Sequence, residues 1–155
     1  MLEPSKAAVV KEGALFKKGS GGLFKRKNWK LRYFELTNDE LRYYDGHLLR
    51  GNVSLRQCTR DSIEIMPDSD PRTGSGGTIW RIAISTPSRR LLVACASEDD
   101  MDGWIDALYV VVDNNSERKR SNTGKISLSH EATFIDNGSM SSNASSSMLS
   151  RRRFS

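Results

Sequence analysis

The spacing of hydrophobic residues in this chain changes from a strand period to a helical period at one point. This change constrains the possible folds more than any other feature of the sequence. Through the first hundred positions, short apolar stretches rich in aromatic and β-branched residues recur between Gly, Asp, Asn and Pro. This spacing is typical of the antiparallel strands of a sandwich or barrel. Seven strands are predicted, at residues 12–18, 29–36, 40–45, 50–56, 62–66, 78–85 and 89–95.

After residue 96 the apolar residues follow a helical period instead. Ser97 and Asp100 have the spacing of a capping box. The apolar residues that follow at helical spacing are Met101, Trp104, Ile105, Leu108, Val111 and Val112. They predict one amphipathic helix that ends near Asn115 and closes an open end of the barrel. Trp104 is predicted to be its main core residue.

The composition changes again after the predicted helix. Residues 116–155 are dominated by Ser and Asn, and the mean hydropathy of the whole chain is −0.55, which is polar for a fully folded protein. We expect residues 1–9 to be flexible, 10–115 to form the folded domain, and 116–155 to be a disordered basic tail. The tail is a candidate contact for protein partners. Ser121 and Ser155 follow basic clusters and resemble kinase sites, the alternative being a solvated linker.

Several classes of protein are excluded by what the sequence lacks. No apolar run approaches the roughly 18 residues of a membrane-spanning helix, and no signal peptide is visible, so a soluble intracellular chain is predicted. Cys58 and Cys95 are too few and too far apart for a disulfide framework or a zinc site. Each is predicted to be a buried thiol, and no metal or cofactor is expected. Without a nucleophile–base set or a Walker-type motif, no enzymatic activity is expected either.

Charge is placed unevenly along the chain. Between Lys17 and Arg32 there are seven basic residues and no acidic one. From Ser97 to Asn114 there are six acidic residues and no basic one. A folded domain that separates these segments is a strong dipole and would orient as it approaches an anionic surface.

Strand alternation directs part of this charge to one place. Apolar residues share a strand face with Lys17 in the first strand, with Lys30 and Arg32 in the second, and with Tyr43 in the third. If the apolar members fill a barrel, the polar members ring its mouth, backed by Lys18, Lys25 and Lys27 of the connecting loop. Several unpaired cations in one concave site are unfavourable without an anion. The sequence therefore predicts a compact ligand that carries more than one phosphate.

The same segments resemble a known family. EGALFKKG, NWKLRYFELT, ELRYYD and LLRGNVSL, with DGWIDAL in the closing helix, are similar to pleckstrin homology (PH) domains over about residues 10–114. The resemblance implies a mainly β fold: a seven-stranded, partly open antiparallel barrel of two near-orthogonal sheets, capped by one C-terminal α-helix.

One motif resembles the phosphoinositide-binding members of that family. It is a Lys in the first strand followed, across the loop, by Lys-x-Arg before an aromatic pair. The resemblance implies that Lys17, Lys30 and Arg32 contact inositol phosphates, and Tyr43 and Arg50 match further headgroup contacts. The implied ligand is phosphatidylinositol 3,4,5-trisphosphate or 3,4-bisphosphate, with the 4,5-bisphosphate left open.

The loop between the first two strands suggests a second contact with membrane. Leu23 and Phe24, beside Lys25 and Arg26, suit partial insertion into an anionic bilayer surface. The alternative is that the two apolar side chains fold back onto the barrel. If the loop inserts, these four residues form a membrane-contacting loop. Lys27 is predicted to belong to the headgroup site.

The combined prediction is a monomeric, non-catalytic signalling adaptor. It is expected to be cytoplasmic and recruited peripherally to the plasma membrane or another phosphoinositide-containing membrane. The alternative is a protein-interaction module with only weak, nonspecific binding of acidic lipids. Nucleic-acid binding is not expected, because the cations converge on a mouth and the acidic helix would repel an extended polyanion.

Overall fold

The computed structural model describes residues 7–20, 28–66 and 77–134, and shows seven antiparallel strands followed by a helix. The strands are β1 (Val9–Lys18), β2 (Trp29–Thr37), β3 (Glu40–Asp45), β4 (Leu48–Ser54), β5 (Ile63–Ile65), β6 (Arg81–Ser85) and β7 (Arg90–Ala94). A short 3-10 helix (Arg60–Ser62) precedes β5, and α1 spans Glu98–Phe134. The predicted fold class is confirmed.

All seven strands belong to one partly open sheet, in the order β4-β3-β2-β1-β7-β6-β5. The junction is β1, which pairs with β2 along its length and with β7 through Phe16 and Lys17. The resemblance implies two sheets, whereas the structure has a single hydrogen-bonded sheet that is continuous through β1. This junction pairs the C-terminal part of β1 with the C-terminal end of β7.

The core fills the space between the sheet and α1. Leu15, Phe34 and Leu36 from β1 and β2 are buried in one cluster with Trp104 and Leu108 from α1. Trp104 is 2% exposed. The apolar alternation of the strands and the helical stripe thus form a single hydrophobic core.

The start of α1 uses the predicted cap. Ser97 Oγ accepts a hydrogen bond from the Asp100 amide (3.2 Å), and an Asp100 carboxylate oxygen accepts one from the Ala96 amide (3.3 Å). Glu98, Asp99 and Asp100 occupy the first turn, where the helix dipole favours negative charge.

The end of α1 differs from the predicted helix end. The helix does not stop near Asn115 but continues to Phe134, whereas the disorder expected of the tail stays a prediction. Asn115 is buried, and its side-chain amide donates a hydrogen bond to the Leu55 carbonyl at 3.4 Å. This tertiary contact overrides the weak helix propensity of Asn. The compact unit that contains the sheet ends at Lys119, and residues 135–155 lie outside the described part.

An ion pair ties the 3-10 helix to α1. Arg60 Nε donates to both carboxylate oxygens of Asp113 at 3.1 Å, and Arg60 Nη2 donates to one of them at 2.6 Å. These hydrogen bonds lower the pKa of Asp113 below its ordinary value. The Arg60 guanidinium also lies 4.7 Å from the centre of the Tyr109 ring.

Both cysteines are free and buried, as predicted. Burial raises the pKa of Cys95 to about 12, so its thiol is neutral at physiological pH. Over the described residues, no helix combines the length and apolarity needed to cross a bilayer. In the same part of the chain, no cluster of three or more His, Cys, Asp or Glu is arranged to hold a metal ion.

Candidate anion-binding site

The structure brings five of the predicted headgroup residues to one pocket at the mouth of the sheet. This mouth pocket has a volume of about 370 Å³. It is lined by Lys17, Gly19, Lys30, Arg32, Tyr43, Asp45 and Arg50. The walls come from β1 to β4, so the junction strand and the three strands on one side of it build the site.

The register of β1 and β2 explains why the cations converge. Lys17 lies directly opposite Lys30, and Leu15 lies directly opposite Arg32. Directly paired residues project from the same face of an antiparallel sheet. The face that buries Leu15 therefore carries three cations towards the strand ends, where the apolar core gives way to the pocket.

Tyr43 reaches the pocket because its cross-strand partner is a glycine. Tyr43 on β3 pairs with Gly51 on β4, and a Cβ atom built at Gly51 would lie 2.5 Å from the Tyr43 hydroxyl oxygen. The Tyr43 ring also packs against Phe34, with ring centroids 5.6 Å apart. Only glycine leaves room for the phenol to lie across β4 in this way.

A β-bulge turns Arg50 towards the pocket. Tyr43 pairs with Gly51 and the next residue, Tyr44, pairs with Leu49, so Arg50 is an extra residue on β4. Strict alternation from Gly51 would direct Arg50 to the opposite face. Bulges characteristically redirect one side chain, and here Arg50 joins the pocket lining.

Lys17 occupies an unfavourable electrostatic position. Burial is the largest cause that lowers its pKa below the ordinary value of 10.5. Nearby Tyr43 acts in the opposite direction, whereas the positive charges of Arg89 and Arg32 lower the pKa further. The ammonium group lies 5.0 Å from the centre of the Tyr43 ring. A bound anion would favour the charged form, which burial and the neighbouring arginines disfavour.

Asp45 corrects the prediction that the mouth cations are unpaired. Its carboxylate oxygen Oδ2 lies 3.2 Å from Arg32 Nη2 and 3.4 Å from Arg50 Nη2. The sequence analysis did not identify Asp45, although strand alternation places it on the same face as Leu41 and Tyr43. The pocket therefore contains an acid that partly neutralises its two arginines.

Arg89 was not predicted either, although strand alternation indicates its direction. It is spaced by two residues from Leu91 and by four from Val93, both of which are buried, so it belongs to the same inward face. Arg89 Nη1 lies 3.4 Å from the Tyr43 hydroxyl oxygen. It lines a second pocket of about 280 Å³, which adjoins the first through Lys17 and Gly19. The β6–β7 connection thus adds a cation beside the mouth pocket.

The other predicted residues are the loop contacts and Trp104. Lys27 and the four residues of the predicted membrane-contacting loop, Leu23, Phe24, Lys25 and Arg26, lie outside the described residues. Trp104 lies in the core and not in the pocket. The contacts of these loop residues therefore remain predictions.

Comparison with known proteins identifies this fold. The family model of the PH domain matches residues 9–113. The chain belongs to the PH domain family. Pleckstrin of Canis lupus familiaris is 32% identical over 116 residues, which cover 71% of this chain and 31% of pleckstrin. Rho GTPase-activating protein 22 of Mus musculus is 34% identical over 95 residues, which cover 56% of this chain and 13% of that protein. This PH domain chain therefore spans less than a third of these relatives' lengths.

Solved PH domain structures agree with this assignment. The crystal structure of the C-terminal PH domain of pleckstrin matches with a TM-score of 0.53 at 25% identity, covering 69% of this chain and 99% of that one. The same pleckstrin domain in complex with D-myo-Ins(1,2,3,5,6)P5 matches with a TM-score of 0.54, at 25% identity and with coverage of 69% and 98%. The pleckstrin domain thus belongs to this fold and has been crystallised with an inositol pentakisphosphate.

Proposed function

We propose that this PH domain is a non-catalytic membrane-targeting module that holds the phosphorylated inositol headgroup of a phosphoinositide in the mouth pocket. The observation that carries this proposal is the direct opposition of Lys17 and Lys30 in a pocket that also contains Arg32. Like charges at directly paired positions repel each other, so an anion bound between them removes an unfavourable interaction. Arg32 can bind phosphate bidentately, and the lysines act as point charges.

Two further features support a compact polyphosphate as the ligand. The volume of the mouth pocket, about 370 Å³, lies in the range of small-molecule sites. The pleckstrin C-terminal PH domain is known in complex with inositol pentakisphosphates, which are ligands of this kind.

The proposed contacts divide between headgroup and bilayer. The headgroup contacts are Lys17, Lys30, Arg32, Tyr43 and Arg50, with Lys27 from the β1–β2 connection. The proposed bilayer contacts are Leu23, Phe24, Lys25 and Arg26 of the same connection. Two apolar residues are followed there by two basic ones, a combination that suits an anionic membrane interface. The chain would then be cytoplasmic until a phosphoinositide-containing membrane recruits it. Among phosphoinositides, we propose a preference for 3-phosphorylated headgroups.

The test is a binding assay with vesicles that differ only in their phosphoinositide. The wild type is expected to bind phosphoinositide vesicles saturably and to be released by soluble inositol polyphosphate. Arg32→Ala and Lys17→Ala should each weaken binding at least about tenfold, because charge-assisted hydrogen bonds contribute roughly 1.5–3 kcal/mol.

Arg56→Ala is the matched control for these variants. It removes one positive charge from a side chain that is 70% exposed and does not line the mouth pocket. Its binding should stay close to that of the wild type. Equal losses in all three variants, or release by DNA of any sequence with a steep salt dependence, would contradict the proposal.

A second candidate function, a protein-docking module, is favoured by the outer face of β2 and β4. Leu31, Tyr33 and Leu49 are 56%, 41% and 53% exposed. Tyr33 and Leu49 pair with Tyr44 from the two strands on either side of β3, so all three lie in one row on this face. Exposed apolar residues grouped in this way are typical of interaction surfaces. The substitution Leu31→Ser with Leu49→Ser would separate the two functions, because it should leave headgroup binding intact.

A further inference from the structure

A single carboxylate oxygen connects the two arginines of the mouth pocket. Asp45 Oδ2 lies within 3.4 Å of both Arg32 Nη2 and Arg50 Nη2. Asp45 is the only acid among the described residues that line this pocket. It therefore occupies the position between two guanidinium groups where a phosphate would make its strongest charge-assisted contacts.

We propose that Asp45 is an internal counter-ion that sets the affinity and phosphate selectivity of the pocket. A headgroup phosphate that engages Arg32 and Arg50 must displace the carboxylate from them. A phosphate that engages only Lys17 and Lys30 need not do so. This inference rests on the proposed function, because it concerns how the same pocket chooses among phosphorylated ligands.

The geometry around Asp45 allows this displacement. The Asp45 side chain is 42% exposed, and it stands at the end of β3, next to the β3–β4 turn. Its contact with Arg50 is long for a charge-assisted hydrogen bond. The carboxylate can therefore turn towards solvent without vacating a buried site.

Asp45 could instead act only by holding the arginines in place, and the structure argues against that role. Arg32 Nη1 donates a separate hydrogen bond to the Leu31 carbonyl at 2.8 Å, so Arg32 keeps one anchor when Asp45 is neutral. The Arg50 side chain is 51% exposed and is directed to the pocket by the bulge in β4. Removal of the negative charge should consequently strengthen ligand binding more than any loss of positioning weakens it.

Selectivity follows from the same competition. Ligands with few phosphates can avoid the carboxylate by binding at the lysine side of the pocket. Ligands with phosphates at both the lysine side and the arginine side cannot avoid the carboxylate. Neutralising Asp45 should therefore favour highly phosphorylated ligands most and increase the difference in affinity between them and bisphosphates.

Calorimetric titration with soluble inositol bis-, tris- and tetrakisphosphates tests the inference. Asp45→Asn should bind the tetrakisphosphate about tenfold more tightly than the wild type, since the charge removed lies within a few ångströms of the bound phosphates. The gain should decrease as the number of phosphates falls. Asp45→Glu, which keeps the charge, should resemble the wild type.

The control is Asp106→Asn, which removes the same charge from an exposed position on α1. It should change affinity by no more than about twofold, because this exposed charge does not line the mouth pocket and is screened by salt. If the wild type binds and Asp45→Asn binds equally or more weakly while its melting temperature is unchanged, the counter-ion role is overturned and the proposed function stands. If neither protein binds any inositol phosphate, the proposed function fails and the inference fails with it.

Discussion

Lys17 on β1 lies directly opposite Lys30 on β2, and both residues line the same pocket. Two positions along the same face, Leu15 is buried in the core opposite Arg32. One face of this hairpin thus changes from apolar to cationic within a few residues. Packing of the core keeps these like charges close together at the mouth of the sheet. A bound anion can then offset their repulsion.

Replacing Lys17 with Met should increase stability while it weakens headgroup binding at least about tenfold. The apolar stem of the side chain is kept, and the repulsion from Lys30 is removed, so the free energy of unfolding should rise by about 0.5 kcal/mol. Chemical denaturation of Lys17→Met, Lys30→Met and the double variant measures this. If the two lysines repel each other, the double variant gains less than the sum of the single variants. Additive gains would show that the lysines do not interact.

The gain in stability should depend on pH. Because the folded-state pKa of Lys17 lies below 10.5, the unfolded chain binds more protons between these two pKa values. Wild-type stability relative to Lys17→Met therefore rises with pH across that interval. The advantage of Lys17→Met should be full below the folded-state pKa and should shrink as the pH approaches 10.5. Urea unfolding of both proteins over a series of pH values checks this, and a constant difference would contradict the lowered pKa.

Much of this arrangement could be predicted from the sequence, because strand alternation and burial are coupled. Leu15, Phe34 and Leu41 mark the inward face of their strands. Lys17 and Arg32 each lie two residues from one of them, so alternation alone predicts that these two cations converge. The same alternation, extended to the ends of the strands, also places Asp45 and Arg89 on the inward face, although neither residue was predicted.

Other features could not be read from alternation. The bulge that turns Arg50 inwards breaks the period of two, and it depends on the pairing between β3 and β4. Arg50 was predicted only through resemblance to a family. The continuation of α1 past Asn115 depends on a contact with Leu55, sixty residues earlier in the chain. No local sequence pattern indicates the bulge or the contact between Asn115 and Leu55.

Gly51→Ala should disturb the pocket through Tyr43. The added Cβ would lie 2.5 Å from the Tyr43 hydroxyl oxygen and 2.8 Å from the ring carbon that bears it. The expected loss is about 1–3 kcal/mol of stability, as for other overpacked sites. Adding Tyr43→Phe should restore part of it, since one of the two close contacts disappears. Gly124→Ala, where no atom lies within 4 Å, is the control and should not lower stability. Thermal unfolding that is unaffected by Gly51→Ala would show that β4 can move away from Tyr43.

Trp104→Ala should destabilise the domain more than any substitution in the pocket. The indole is 2% exposed and packs in the core that α1 shares with the sheet. Large-to-small substitutions of this kind reduce the free energy of unfolding by about 3–5 kcal/mol. Val110→Ala, at a position on the same helix that is 53% exposed, should change it by less than about 0.5 kcal/mol. Denaturation curves of the two variants test the core role of the helix, and similar midpoints would contradict it.

The most direct test of the anion site is an NMR titration that observes the lysine side chains while a soluble inositol tetrakisphosphate is added. We expect saturable shifts of the Lys17 and Lys30 ammonium signals with one shared dissociation constant. We also expect the pKa of Lys17 to rise on binding, because phosphate favours the charged form. Saturable binding that leaves both lysine side chains unperturbed would contradict the central claim that this opposed pair holds the ligand.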